Sequence, residues 1–363
     1  MSHIPFIAAR FFNPEENRSA LEQRFTRYLR QLRSRSAPPL KADEGASTIE
    51  AALNSMVVLS EKDRMRISRR VAAFLERREA VSGVKHLRKD DREQLMAVRD
   101  GVRLVSIESE HRADELASRL HTEMPWMAPA TEIIWYAMRR SVREGWPGLR
   151  LPPLLLDGPP GIGKSYWARR LGEVISAPTA VIEATGENAS FGLVGSQRGW
   201  SGAQSGRVLE TILQARVGNP VIVVDEVEKA GTPTSRNGHT FGLAEALLPL
   251  LEPMTAENWS CPYFRVKFDM SWVGWVLTSN TYRLLPEPLL SRCPPLRLRD
   301  LTQGELIGFI RREGKIQGLS EDVVEAIAEA LGQASVGSGH LNLRTASRLL
   351  RWGADIENRP LRH

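Results

Sequence analysis

The stretch LLLDGPPGIGKS, residues 154–165, decides the fold of this chain. Its leucines have the unbroken apolar character of a buried strand, and a glycine-rich turn follows at once. Gly158, Gly161 and Gly163 allow the backbone to curl so that successive N–H groups point inward at a phosphate. A helix follows the turn, and the partial positive charge of its N-terminus would face the same anion. The stretch therefore predicts a nucleotide-binding loop between a strand and a helix.

The last two residues of this stretch supply charge and a metal ligand. Lys164 would reach the outer phosphates of a nucleotide, and the Ser165 hydroxyl would ligate Mg²⁺. The residues predicted to contact the nucleotide are Gly158, Pro159, Pro160, Gly161, Ile162, Gly163, Lys164, Ser165 and Tyr166.

Length and composition set outer limits on the architecture. The chain has 363 residues, more than one average domain, so two or three units are expected. Hydrophobic residues make up 42% and charged residues 25%, as in ordinary globular proteins. The net charge of +6 permits contact with nucleic acid or an acidic surface without requiring it.

Neither a secretory leader nor a membrane span is predicted. The N-terminal MSHIPFIAARFF lacks a basic segment followed by a sustained apolar core. No uncharged apolar stretch has the length that a bilayer requires. Cys261 and Cys293 lack metal-ligand spacing. These features predict a cytoplasmic protein in a reducing compartment, with no membrane partner.

Residues 1–115 are predicted to form a helical N-terminal region. A capped amphipathic helix is expected over residues 13–33, with Asn13 as its N-cap and Pro14 at its first position. One face is apolar, and the other is basic and carries Arg24, Arg27, Arg30 and Arg33. We expect a solvated face that supports solubility. The alternative is a nucleic-acid or acidic-partner surface, but we expect no interleaved aromatic residues for base stacking on this face.

Further helical patterns in this region cover roughly residues 48–80 and 90–123. Ser60 is expected to cap a helix, with Asp63 at the position that completes a capping box. No catalytic constellation is found there.

The pattern then changes to alternating strands and helices, which predicts an α/β fold. Short, nearly unbroken apolar strands separated by helices are typical of a parallel sheet covered on both faces. The predicted sheet belongs to a large α/β subdomain at 116–300, and a helical subdomain follows at 301–363. The five predicted strands are at 152–157, 179–185, 220–225, 273–279 and 296–299.

A second motif, PVIVVDEVEK at residues 220–229, ends a buried strand in adjacent carboxylates. Two acids after a strand would, in isolation, indicate the start of a helix. Downstream of a phosphate loop, they are instead predicted to lie at the sheet edge where ligands bind. Asp225 is then placed to hold the Mg²⁺ shell, and Glu226 to orient or deprotonate the attacking water.

With these motifs, the chain resembles the AAA+ ATPase module of the Lon protease family over roughly residues 120–355. The resemblance implies a P-loop fold with a five-stranded parallel sheet, a C-terminal helical lid, and ATP with Mg²⁺ as ligands. The matching segments are GPPGIGKS, VIVVDEVEKAG, LAEALLPLLEP, VLTSN, LPEPLLSRC and LNLRTASRLL.

The resemblance also implies roles for three residues outside the two nucleotide motifs. Asn280 would help to position the lytic water. Arg292 would reach the γ-phosphate of a neighbouring subunit, so that hydrolysis depends on assembly. Arg344 would report the nucleotide state from the lid. A homo-oligomeric, hexameric ring is implied.

A loop before the third strand is implied to contact substrate. The segment GLVGSQRGWSGAQSGRVL, residues 192–209, occupies the place of an aromatic loop that faces the central pore of the ring. Trp200, followed by Ser201, would grip an unfolded polypeptide through its large apolar surface. The family favours a tyrosine and then an aliphatic residue, and a glycine-flanked tryptophan could instead pack on its own domain.

Two functional hypotheses follow. The first is a ring-forming ATPase that threads or remodels a protein substrate and, because the sequence ends at His363 soon after the lid, lacks the serine-lysine peptidase of Lon enzymes. The alternative is a nucleic-acid-associated AAA+ ATPase, such as a loader or defence component, which only the basic character and the arginine-rich helix support.

Overall fold

A computed structural model describes residues 3–36, 59–185, 189–199, 202–230, 242–333 and 342–358. The chain divides into two compact units, which are described separately. The smaller is Ala8–Arg99, and the larger joins the segment before Ala8 to Asp100 and the rest of the chain. The domain boundaries predicted from sequence, with a first region ending at 115, stay predictions.

The smaller unit is helical. Its helices are α1 (Arg18–Ser36), α2 (Glu61–Ser82) and α3 (Lys89–Met96). Helices α1 and α2 pack through a small apolar core, and an ion pair of 2.7 Å joins Arg33 near the end of α1 to Asp63 in the first turn of α2. The core contains Leu21, Leu59, Ile67 and Val71.

The two predicted helix starts in this unit have different outcomes. Ser60 and Asp63 form the expected capping box. The expected start at Asn13 is wrong, because α1 begins at Arg18. The Asn13 carboxamide oxygen accepts from the Glu15 N–H at 2.9 Å and closes a short turn. Asn17 is the residue that caps the helix, since its carboxamide oxygen accepts from the Ala20 N–H at 3.0 Å.

The larger unit contains the strands of the structure. They are β1 (His3–Ile4), β2 (Val102–Arg103), β3 (Leu154–Asp157), β4 (Thr179–Glu183), β5 (Val221–Asp225), β6 (Trp259–Ser260), β7 (Lys267–Phe268), β8 (Gly274–Ser279) and β9 (Pro295–Arg297). Five of them form a parallel sheet in the order β4-β5-β8-β3-β9. The predicted fold class is therefore confirmed. Two small antiparallel pairs, β1 with β2 and β6 with β7, lie outside this sheet.

Helices cover the sheet and connect its strands. The apolar side chains of the first three helices of this unit pack with those of β3, β5 and β8 into one core. This core includes the fully buried Trp167. The helices are α4 (Glu110–Glu123), α5 (Ala128–Arg143), α6 (Lys164–Val174), α7 (Ala189–Val194), α8 (Arg207–Ala215), α9 (Leu243–Leu251), α10 (Pro253–Ala256) and α11 (Glu287–Arg292).

The helical pattern predicted over 90–123 is interrupted between α3 and α4. Gly101 has a φ of +96°, and a Cβ placed there would lie 2.2 Å from the Ile4 carbonyl oxygen. This close approach belongs to the pairing of β1 with β2. Since a left-handed glycine pressed against another backbone cannot continue a right-handed helix, the chain leaves the helix there.

Three helices form the C-terminal lid: α12 (Gln303–Ile316), α13 (Glu321–Gln333) and α14 (Leu343–Glu357). Thr302 and Glu305 close a capping box at the start of α12. The lid has its own apolar core, which includes Leu306, Ile310, Val324, Leu331, Ala346 and Leu350. Within the described residues, every helix is too short or too polar to cross a bilayer.

Candidate nucleotide-binding site

The candidate site lies at the carboxyl edge of the parallel sheet, where the predicted motifs meet. Strand β3 runs into the glycine-rich loop, β5 ends at Asp225, and β8 ends at Ser279. Asp157 stands beside Ser279 in the strand register, so the loop starts next to the end of β8. Ligands bind at this edge in open α/β sheets.

Lys164 is buried in the loop and is held by three oxygen atoms. Its ammonium nitrogen donates to the carbonyl oxygens of Gly158 at 2.6 Å and Pro159 at 2.8 Å, and to Asn280 Oδ1 at 3.0 Å. Burial lowers the pKa of Lys164, while nearby carboxylates oppose this shift. An anion placed beside the ammonium would favour its charged form, as expected for a phosphate-binding lysine.

The loop backbone is supported from both sides. Gly161 and Gly163 have φ values of +82° and +92°, which only glycine adopts without strain. The Trp126 indole N–H donates to the Ile162 carbonyl oxygen at 2.8 Å. From the lid, the Leu343 N–H donates to the Gly161 carbonyl oxygen at 3.1 Å.

The loop and the lid touch directly at two glycines. A Cβ built on Gly161 would lie 2.9 Å from Asn342 Cβ, and one built on Gly163 would lie 2.9 Å from Leu343 Cδ1. Packing therefore adds to the conformational requirement at Gly161, where the neighbouring atom is the Cβ of Asn342, because the start of α14 rests directly on the loop.

Hydroxyl and carboxylate oxygens converge at the predicted metal position. Ser165 Oγ donates to Asp225 Oδ1 at 2.6 Å, and the Thr278 hydroxyl donates to the same carboxylate oxygen. Hard oxygen donors of this kind suit Mg²⁺, which is usually held by one or two protein oxygens together with waters and substrate phosphates. No group of three or more His, Cys, Asp or Glu side chains with metal-binding geometry occurs among the described residues. The donor set thus fits Mg²⁺ bound together with a nucleotide.

Glu226 has an unusual backbone and a defined side-chain environment. Its φ is +54°, in the left-handed region that non-glycine residues adopt at a cost of about 1 kcal/mol. The N–H of Glu226 donates to Thr278 Oγ1 at 3.0 Å. Its Oε1 accepts from the Lys229 ammonium at 2.8 Å. The strained turn directs the carboxylate into the cleft described below.

Glu228 is a site residue that the sequence prediction missed. Its Oε1 accepts from both the backbone N–H and the side-chain amide of Asn280, each at 3.0 Å. Its Oε2 is buried and has no hydrogen-bond partner in the part of the chain that the structure describes. Asn280 also approaches Glu226 Oε1 at 3.4 Å. The sequence does carry a signal for this residue, because Glu228 is the third acid of the DEVE segment that follows β5.

A cleft of about 1300 Å³ lies between the sheet edge and the lid. Most predicted nucleotide contacts line it, together with Glu226, Asn280 and Arg344. The sequence prediction missed further lid arginines: Arg348 and Arg351 lie four and seven residues after Arg344, so the three share one face of α14. The predicted loop and lid residues that line the cleft are Pro160, Gly161, Gly163, Lys164, Ser165, Tyr166, Asp225, Glu226, Asn280 and Arg344.

Arg292 does not join these residues within the chain. It is absent from the lining of the cleft. Its guanidinium donates to the Pro288 carbonyl oxygen at 3.0 Å and lies 3.4 Å from a Glu252 carboxylate oxygen. The other predicted residues, Trp200 and Ser201, lie outside the described residues.

Residues 154–300 match the model of the family described as "ATPase family associated with various cellular activities (AAA)". The chain is 32% identical over 174 residues to Lon protease 2 of Thermus thermophilus, covering 48% of this chain and 21% of that protein. It is 32% identical over 189 residues to Lon protease of Chlamydia trachomatis, covering 51% and 22%. For the peroxisomal Lon protease homolog 2 of Oryza sativa subsp. indica, identity is 31% over 165 residues, covering 46% and 18%. The chain thus spans about a fifth of the length of these relatives.

Proposed function

Because residues 154–300 are a domain of the AAA ATPase family, similar to the ATPase module of Lon proteases, we propose that this chain is an ATP-hydrolysing motor. It works as a homo-oligomeric ring, expected to be hexameric, that threads or remodels a protein substrate. We place this motor in the cytoplasm.

One observation carries the proposal: the cleft brings together groups suited to bind and hydrolyse a nucleoside triphosphate. Lys164 offers a buried positive charge, and Asp225 and Ser165 offer oxygens to a cation. Glu226 stands beside Asn280 at the same edge. A purely structural loop would have no need for a buried ammonium opposite converging carboxylates.

In the proposed reaction, each side chain has a separate task. Lys164 binds the outer phosphates and neutralises charge that develops during transfer. Glu226 holds the attacking water and accepts its proton at the carboxylate. Asn280 orients that water, and Arg344 contacts the nucleotide from the lid. Mg²⁺, held through Ser165 and Asp225, would supply further charge neutralisation when bound with ATP.

The position of Arg292 supports the proposal that copies of this chain assemble into a ring. Phosphoryl transfer gains strongly from an arginine at the γ-phosphate. Arg292 does not line its own cleft, so in the proposed ring it would serve the cleft of a neighbour. We therefore assign the active site to the interface between two copies of the chain.

The proposal for a protein substrate rests on Trp200 and on the relatives, whose names describe them as proteases. ATPase activity should be measured alone, with a permanently unfolded protein, and with DNA. Stimulation by the unfolded protein, lost in Trp200→Ala while basal activity remains, is the expected result. Stimulation by DNA alone would favour the nucleic-acid-associated alternative and contradict threading.

A further inference from the structure

The helix pair α1 and α2 of the smaller unit is strongly basic. Together these helices carry thirteen Lys and Arg residues against five Asp and Glu residues, a net charge of +8. The whole chain has a net charge of only +6. All but one of the thirteen are arginines. The excess positive charge of the protein is therefore concentrated on two packed helices.

Most of these arginines have no acidic partner among the described residues. Eight exposed guanidinium groups make no hydrogen bond or ion pair within the described part of the chain: those of Arg27, Arg30, Arg35, Arg64, Arg66, Arg69, Arg70 and Arg77. Elsewhere, exposed arginines such as Arg299 and Arg311 form two-point pairs with Glu305 and Glu325.

This lack of pairing works against helix stability. Arg27 and Arg30 are three residues apart, and Arg66 and Arg70 are four apart, so like charges are neighbours on each helix. Each such pair destabilises a helix by a few tenths of a kcal/mol. A surface serving only solubility would gain from interspersed acids, whereas a surface that meets a polyanion would not.

Exposed aromatic side chains lie among the arginines on both helices. We call the row Arg24, Arg27, Tyr28 and Arg30 on α1 the first arginine stripe, and the row Arg66, Arg70, Phe74 and Arg77 on α2 the second. Tyr28 is 61% exposed and follows Arg24 by four residues; Phe74 is 44% exposed and follows Arg70 by four. Arg77 continues the second stripe. The expectation that aromatic residues are missing from the basic face is therefore wrong.

We propose that α1 and α2 bind single-stranded nucleic acid through these stripes. Guanidinium groups pair with phosphates at two points and stack on bases, and exposed aromatic rings between them offer faces for unpaired bases. An acidic polypeptide would use the charge but not the rings, and in duplex DNA the base faces are already stacked. The inference is independent of the proposed ATPase function.

The test uses the full chain and a fluorescein-labelled oligothymidylate of about 20 nucleotides, which is long enough for one or two binding units. Fluorescence anisotropy should show binding. The logarithm of the association constant should fall linearly with the logarithm of the KCl concentration from about 50 to about 200 mM. The triple variant Arg66→Gln, Arg70→Gln, Arg77→Gln should bind at least about tenfold more weakly and reduce the salt slope by about two.

Two comparison variants show whether affinity depends on where the positive charges lie or only on the net charge of the chain. The triple variant Arg112→Gln, Arg140→Gln, Arg311→Gln removes the same charge from exposed sites outside α1 and α2 and should bind like the wild type. Lysine at positions 66, 70 and 77 should restore the salt slope. Circular dichroism checks that each variant remains folded.

The rings are tested by Tyr28→Ala with Phe74→Ala. Because both side chains are exposed, the variant should fold, lose about tenfold or more in affinity for the oligothymidylate, and keep the salt slope. Three results would overturn the proposal: no binding by the wild type, equal weakening by both triple glutamine variants, or binding of duplex DNA or polyglutamate as tight as that of the oligothymidylate.

Discussion

Asn280 connects the phosphate loop to the acidic end of β5. Its carboxamide oxygen accepts from Lys164, and its amide nitrogen donates to Glu228. Glu228 also binds the Asn280 backbone N–H, so one carboxylate oxygen orients the whole residue. The orientation of the carboxamide is therefore set by a residue that does not itself line the cleft.

Glu228→Ala should lower kcat about tenfold to a hundredfold with little change in KM, since it removes charged hydrogen bonds that position Asn280. Glu228→Gln keeps an acceptor oxygen and should recover most of the activity. In an Asn280→Ala background, Glu228→Ala should add almost nothing. Fully additive losses in steady-state ATPase assays would mean that Glu228 acts independently of Asn280.

Lys164→Ala and Glu226→Gln should separate binding from hydrolysis. Loss of the buried ammonium should weaken ATP binding more than about tenfold. Glu226→Gln should bind ATP normally but lower kcat by about 10² to 10⁴, because an amide cannot accept the proton of water. Fluorescent ATP titration and phosphate release measure the two effects. A Glu226→Gln enzyme with wild-type turnover would remove Glu226 from the proposed mechanism.

At the scale of elements, the sheet could be predicted from sequence because its central strands β3, β5 and β8 are buried on both faces. Val221 to Val224 are all fully buried, so β5 has a continuous apolar run that local sequence reveals. The start of α1 could not be predicted in the same way. Asn13 and Asn17 have equal capping ability, and only the folded chain shows that Asn13 closes a turn instead.

The start of α12 depends on a charged capping residue. Hydrogen bonds from Arg299 lower the pKa of Glu305 from 4.5 to about 2, with support from Thr302. Since the folded-state pKa is depressed, the ionised form stabilises the fold above about pH 4.5, and this stabilisation is lost as the pH falls toward 2.

Glu305→Gln should therefore destabilise α12 by about 1 kcal/mol near neutral pH, and the difference from wild type should shrink on acidification. Hydrogen exchange of the α12 amides measures this locally. Glu325→Gln breaks the exposed pair with Arg311 and should change exchange far less. A Glu305→Gln effect that persists unchanged toward pH 2 would contradict the assignment.

At the scale of the whole molecule, Arg292 is the site residue whose partner a single chain cannot reveal. Its segment was identified by resemblance, and the structure adds that it lies outside its own cleft. Local sequence explains why the cleft residues converge, since parallel strands end at one edge. Local sequence contains no information on which surface of a second copy of the chain contacts Arg292.

A mixing experiment tests the shared site. Arg292→Ala and Glu226→Gln should each be nearly inactive alone. In rings formed from equal amounts of the two variants, a subunit with intact Glu226 lies next to a neighbour with intact Arg292 at about a quarter of the interfaces, because each variant occupies half of the positions. About a quarter of the wild-type ATPase rate should therefore return. Absence of recovery, with mixed assembly verified by pull-down of differently tagged chains, would show that Arg292 does not act between subunits.

The direct seat of α14 on Gly161 and Gly163 has a thermodynamic consequence. Because the start of α14 contacts the loop directly at these glycines, a change in the angle of the lid must also change the shape of the loop. Any force that tilts the lid must then alter affinity for phosphate, and phosphate must resist that tilt by the same free energy. Mechanical load on the lid is thus expected to govern release of nucleotide.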